Sequence, residues 1–106
     1  MKISIITPIY NEEKYIEKYL DSLAKLEFPD QDLEIIFVND CSTDGTVKLL
    51  EEFIASHQEL DIKLLHNDKN RGVLFTRNRA VEEASNEYLI NIDAHSIIDP
   101  DLVKNF

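Results

Sequence analysis

The chain has 106 residues, 43% hydrophobic and 30% charged, with two glycines and three prolines, a balance that fits one folded domain over 1–106 and excludes a disordered or repetitive chain. Eleven Lys and Arg stand against 21 Asp and Glu, a formal net charge of −10, which argues against a nucleic-acid partner because that affinity comes mostly from basic residues neutralising phosphates. The single cysteine, Cys41, excludes an intramolecular disulfide, and no apolar run approaches the roughly 20 residues that span a bilayer.

Residues 2–7 (Lys-Ile-Ser-Ile-Ile-Thr) are short and apolar enough to be a strand, and Pro8 just after them, with no small-residue cleavage pattern, argues against a signal peptide and for a cytoplasmic location. Asn11 followed by Glu12 and Glu13 reads as a helix cap with dipole-matched acids. Tyr15, Ile16, Tyr19, Leu20, Leu23 and Leu26 then recur at helical steps. Residues 34–38 form the next expected strand, and a helix from about Thr43 to His57 places Val47, Leu50, Phe53 and Ile54 on one side. A third strand is expected over 62–66. A third helix from about Val73 to Ala84 carries Leu74, Arg77, Val81 and Ala84 near one stripe, and a fourth strand is expected over 87–92.

Three strand-helix units closed by a fourth strand imply right-handed crossovers and an α/β fold, a mainly parallel sheet with helices on both faces. Ligands of such sheets sit beyond the carboxyl ends of the strands. Four polar segments, 8–12, 39–42, 67–72 and 93–95, are expected along that edge. There is no Gly-x-Gly-x-x-Gly and no P-loop, so phosphates must be held by other means. Asp93-Ala94-His95 offers two potential metal ligands one residue apart as the chain leaves the last strand.

A family resemblance runs through these segments in order. Ile5-Ile6-Thr7-Pro8-Ile9-Tyr10-Asn11-Glu12 is followed by Glu34 to Val38 and Asn39-Asp40-Cys41-Ser42-Thr43-Asp44-Gly45-Thr46. Then come Asn70-Arg71-Gly72, Arg77-Asn78, Ala84 with Glu87-Tyr88-Leu89-Ile90, Asp93-Ala94-His95, and Pro100 with Leu102. Together they resemble the amino-terminal half of the family 2 glycosyltransferases, inverting enzymes with the Rossmann-like GT-A nucleotide-binding fold.

The resemblance implies a single nucleotide-sugar-binding domain that serves the transfer of a sugar from a nucleotide-diphosphate donor, a UDP-sugar foremost, to a sugar or lipid-linked acceptor in polysaccharide biosynthesis. It implies that Pro8, Tyr10 and Glu12 line the nucleoside pocket, that Asp40 accepts the ring N–H of a uracil-like base, and that Arg77 faces the diphosphate or holds the loop beside it. Asp93 and His95 would take the place of the family's Asp-x-Asp motif and hold a divalent metal, Mn2+ or Mg2+, that bridges the phosphates. His95 stands where the family has a second Asp, which resembles a branch associated with exopolysaccharide synthesis and favours manganese over magnesium. Asn39 and Cys41 stand where Asp and Gly are common, and Ala80 and Asn86 replace frequent glycines.

The same resemblance places the catalytic base and most acceptor contacts beyond Phe106, so no catalytic residue is expected within the chain and transfer by these residues alone should be undetectable. The parent is expected at the inner face of the membrane, and self-association through an uncovered sheet edge is expected of the chain by itself. On the residues alone other roles remain open. Asp40 equally suits a helix cap, Tyr10 packing against the first helix, Arg77 a solvated helix face, and Lys69 with Arg71 an alternative positive charge for a diphosphate. His57 and His66 read as structural or exposed, and Cys41 as a loop residue with no accompanying base. Two other function classes compete: a non-catalytic nucleotide- or metal-binding module, and a receiver-like signalling domain, which the Thr7-Pro8-Ile9-Tyr10 ending of the first strand disfavours because paired acids are needed there.

Overall fold

The computed structural model describes residues 2–28 and 32–104. Its elements are β1 (Lys2–Ile9), α1 (Ile16–Ala24), β2 (Asp32–Asn39), α2 (Thr46–Ser56), β3 (Asp61–His66), α3 (Val73–Glu83) and β4 (Tyr88–Asn91). The strands form one sheet in the order β3-β2-β1-β4. Every neighbouring pair is parallel, with Ile5 opposite both Ile35 and Ile90. The expected parallel sheet is therefore the one observed, with strand limits moved outward by two residues at most at β1 and β2.

The connection order explains the layers. The β1–β2 and β2–β3 crossovers advance in one direction and, being right-handed, place α1 and α2 on one face. The β3–β4 crossover reverses over β2 and β1 and places α3 on the other. Alternate side chains of the strands serve the two faces. Ile5, Ile9, Ile35 and Phe37 pack with Ile16, Tyr19, Leu20 and Leu23 of α1 and Leu50 and Phe53 of α2. Ile6, Ile36 and Val38 pack against Ala80 of α3. Both central strands are thus buried on two sides, which is why they read as continuous apolar runs.

Three local expectations are corrected. The buried face of α3 is Thr76 and Ala80, whereas Leu74 and Val81 are 65% and 41% exposed. Small side chains let α3 lie close to β1 and β2, and the larger apolar residues face away. Asn11 does not cap α1, which begins at Ile16 with the N–H groups of Tyr15 and Ile16 bonded to the Glu12 carbonyl. Tyr15 at the head of the expected apolar stripe is exposed.

After β4 the chain returns across α1. The Ile98 N–H donates to Ser22 Oγ at 3.0 Å, the Glu27 N–H donates to the Pro100 carbonyl at 3.0 Å, and Ile98 and Val103 are buried. At the end of the sheet away from the cleft described below, Glu34 is buried yet charged. It accepts from Ser4 Oγ at 2.7 Å and from the Ser85 N–H at 2.9 Å, and pairs with Lys63 at 2.9 Å. No helix among the described residues is long and apolar enough to cross a membrane.

Candidate functional site

A topological switch point lies between β1 and β4, because the strand order reverses there, and loops diverging from such a point leave a crevice. A cleft of about 370 Å³ occupies it. Pro8, Tyr10 and Glu12 from the end of β1 line it together with Asp40 from the end of β2, Asn70 and Gly72 from the loop before α3, Thr76 from its first turn, and Asp93 and His95 from beyond β4. Residues distant in sequence and expected on one edge are thus brought to one cavity.

Asp40 is the most constrained of them. It is 3% exposed, and its Oδ1 accepts from Asn67 Nδ2 at 2.9 Å and the Arg71 N–H at 2.7 Å. Its Oδ2 accepts from the Gly72 N–H at 2.9 Å and Asn70 Nδ2 at 3.2 Å. Burial by itself raises the Asp40 pKa, but the donors from Asn67, Arg71 and Gly72 outweigh it and hold the carboxyl below its ordinary value. The carboxylate therefore gathers the 67–72 loop at four points, and Asn70 and Gly72 of that loop form one wall of the cleft. Asn67 Nδ2 also reaches Thr76 Oγ1 at 3.0 Å, and Thr76 Oγ1 donates to the Gly72 carbonyl at 2.7 Å, tying the loop to the first turn of α3. Sequence reasoning did not assign Asn67 or Thr76 a role. The available signal was an acid at a buried strand end facing a loop with two carboxamides, since such an acid must find donors.

The β1 end is held from the other side. Thr43 N–H donates to Asn11 Oδ1 at 2.8 Å, Asn11 Nδ2 donates to Thr43 Oγ1 at 3.3 Å, and the Asn11 N–H donates to Ser42 Oγ at 3.0 Å. The Glu12 N–H donates to Thr46 Oγ1 at 2.9 Å. Asn11 and Cys41 have φ of 48° and 62°, two non-glycine residues in the left-handed region at neighbouring strand ends.

His95 Nδ1 lies 3.6 Å from Glu12 Oε1 across the cleft mouth, so the Asp93–His95 segment faces the β1 end. Beneath them Tyr19 is fully buried, and its hydroxyl is hydrogen-bonded to Thr7 Oγ1. Burial raises its pKa well above the ordinary tyrosine value, and the nearby charge of Asp93 adds to the shift. Arg77 does not line the cleft; its Nε is buried without a hydrogen-bond partner among the described residues. Arg71 is also turned away, with a forked contact to Asp68 at 3.0–3.2 Å and its guanidinium 5.1 Å from the Phe75 ring centre. Arg79 is committed to the His66 carbonyl and Asn67 Oδ1.

Comparison with known proteins gives this geometry a family. The sequence model of "Glycosyl transferase family 2" matches residues 4–106. The chain belongs to that family. It is 37% identical over 106 residues to the poly(ribitol-phosphate) beta-N-acetylglucosaminyltransferase TarS of Staphylococcus aureus, covering 99% of this chain and 18% of that protein. The crystal structure of S. aureus TarS 1-349 in complex with UDP-GlcNAc superposes with a TM-score of 0.89, over 99% of this chain and 30% of that one, at 37% identity. The mannosyltransferase PcManGT from Pyrobaculum calidifontis, in complex with GDP-Man and Mn2+, gives a TM-score of 0.87 at 30% identity over 93% of this chain and 29% of that one. The chain spans under a third of the length of each of these relatives. The family resemblance and the GT-A architecture expected from the sequence are both present.

Proposed function

We propose that this chain is the donor-binding portion of an inverting, metal-dependent glycosyltransferase and that its cleft takes the nucleoside diphosphate of a sugar donor, uridine diphosphate foremost. The observation that carries the reading is the convergence of Tyr10, Glu12, Asp40, Asp93 and His95 on one cavity at the switch point. The bound donors of the TarS and PcManGT structures support it.

Tyr10, 46% exposed at the rim, offers a flat apolar surface to a base, and Asp40 lies deeper as an acceptor. A uracil N–H reaches the Asp40 carboxylate if it replaces Asn70, whose bond at 3.2 Å is the longest of the four. The three shorter bonds stay in place and keep the carboxylate aimed.

The diphosphate end needs positive charge. A carboxylate and a phosphate charge about 4 Å apart repel by about 4 kcal/mol at an effective dielectric near 20, and the chain has a net charge of −10. Of the two basic loop residues Lys69 and Arg71, Arg71 is paired with Asp68 and turned away from the cleft. Asp93 and His95 both line the cleft, and a carboxylate with an imidazole is a donor set that suits a transition ion. No group of three or more His, Cys, Asp or Glu among the described residues shares a site, so phosphate oxygens and water would complete the coordination. An ion held there would supply neutralisation of the charge that develops on a leaving diphosphate. The chain's own residues hold the base and set the pocket walls.

Calorimetry with uridine diphosphate in manganese, magnesium or chelator tests the reading. Binding is expected in manganese, weaker in magnesium, and about ten-fold or more weaker in chelator or with Asp93→Ala or His95→Ala. Equal binding under chelator overturns the metal bridge, and absence of any nucleotide binding overturns the donor site.

A further inference from the structure

We propose that Asn11 is a positioning residue for the nucleoside side of the cleft, holding Tyr10 and Glu12 in place from a site that does not itself touch the ligand. This rests on the donor-site reading above. Asn11 lies between two cleft-lining residues and is absent from the lining. Its backbone turns through the left-handed region, φ 48°, and this reversal lets Tyr10 and Glu12 both face the cavity. Its carboxamide clasps the neighbouring loop at two points on one residue, accepting the Thr43 N–H at 2.8 Å and donating to Thr43 Oγ1 at 3.3 Å.

The chemistry of the position narrows the residue type. A left-handed backbone favours Gly, Asn or Asp, and the shorter contact of the clasp requires an acceptor on a short side chain, which Asn and Asp supply and Gly does not. The clasp also sets the β1 turn against the segment that starts at Asp40, because the Asp40 N–H is bonded to the Ile9 carbonyl at 2.8 Å and Thr43 lies three residues further on. Asn11 thereby fixes the distance between the ring of Tyr10 and the carboxylate of Asp40, the two groups assigned to the base.

The test compares uridine with manganese-loaded inorganic pyrophosphate as separate probes, titrated by NMR into the native chain, Asn11→Gly and Asn11→Asp. Glycine keeps the backbone and removes the clasp, while aspartate keeps the acceptor for the Thr43 N–H. Asn11→Gly is expected to weaken uridine about ten-fold and leave pyrophosphate within about two-fold, with a melting midpoint within a few degrees of native. Asn11→Asp is expected to recover most of the uridine affinity. Uridine binding by Asn11→Gly equal to native overturns the proposal, as does a parallel loss of both probes or an Asn11→Asp variant no better than glycine. Failure of the native chain to bind uridine marks instead the failure of the donor-site reading.

Discussion

Gly72 donates its backbone N–H to the Asp40 carboxylate at 2.9 Å from a conformation, φ 92° and ψ 163°, that side chains other than hydrogen rarely adopt. A Cβ at Gly72 would meet no atom within 4 Å, so the glycine is required by backbone angle and not by space. The acid at the end of β2 and the glycine before α3 thus form one device, with the carboxylate setting the loop and the glycine allowing the loop to reach it.

Removing the carboxylate should therefore open the loop as well as the pocket. Asp40→Ala removes the acceptor of the Arg71 and Gly72 N–H groups and of the buried Asn67 carboxamide, a loss of about 1 kcal/mol or more. Faster hydrogen exchange at Arg71 and Gly72 and weaker uridine diphosphate binding are expected together. Unchanged affinity in Asp40→Ala would remove Asp40 from the base site.

Acid should unfold the chain through Glu34. Burial raises its pKa, but the Ser85 N–H, the Ser4 hydroxyl and Lys63 bring it from the ordinary 4.5 down to about 2. A depressed folded-state pKa contributes stability that is present above about pH 4.5 and lost as pH falls toward 2. The contribution is on the order of 2–3 kcal/mol. Denaturant titrations at pH 6 and pH 3 should show native stability falling by more than that of Glu34→Gln, in which this carboxylate no longer titrates. Equal falls in both chains would assign the acid sensitivity elsewhere.

Cys41 should respond to substitution by backbone preference and not by thiol chemistry. With φ at 62°, a β-branched residue is strained and glycine is at ease. Cys41→Val is expected to lower stability by about 1 kcal/mol or more and Cys41→Gly to lose none. Calorimetric melting of both reads the difference, and a valine variant as stable as native would contradict the strain.

Association is expected at β4. This strand pairs with β1 alone among the described strands, and Tyr88 and Leu89 are 45% and 41% exposed on it. Open edges with apolar side chains recruit further strands. Light scattering should show apparent mass rising with concentration, and Leu89→Lys should suppress the rise. A constant monomer mass at high concentration would show that the edge is already protected.

Much of this was legible in order and pattern. Alternating apolar strands and helices, read with the handedness of crossovers, determined a parallel sheet covered on both faces, and strand polarity determined that Pro8, Tyr10, Glu12, Asp40, Asp93 and His95 would share one edge. Periodicity reports burial along an element, and at α1 and α2 the large side chains it marks at Tyr19, Leu23, Leu50 and Phe53 are the buried ones. At α3 the signal was half right, with Ala84 packed on the core but Leu74 and Val81 exposed, because close approach of helix to sheet selects small residues such as Thr76 and Ala80, and closeness is a property of two layers that neither sequence segment contains. Partnerships were decided at the same level. Whether Asn11 caps its own helix or clasps Thr43, and whether Asp40 caps α2 or gathers the 67–72 loop, depends on which donors lie within about 3 Å. Only the packed sheet, by setting β1 beside β2 and α3 above both, puts those donors there.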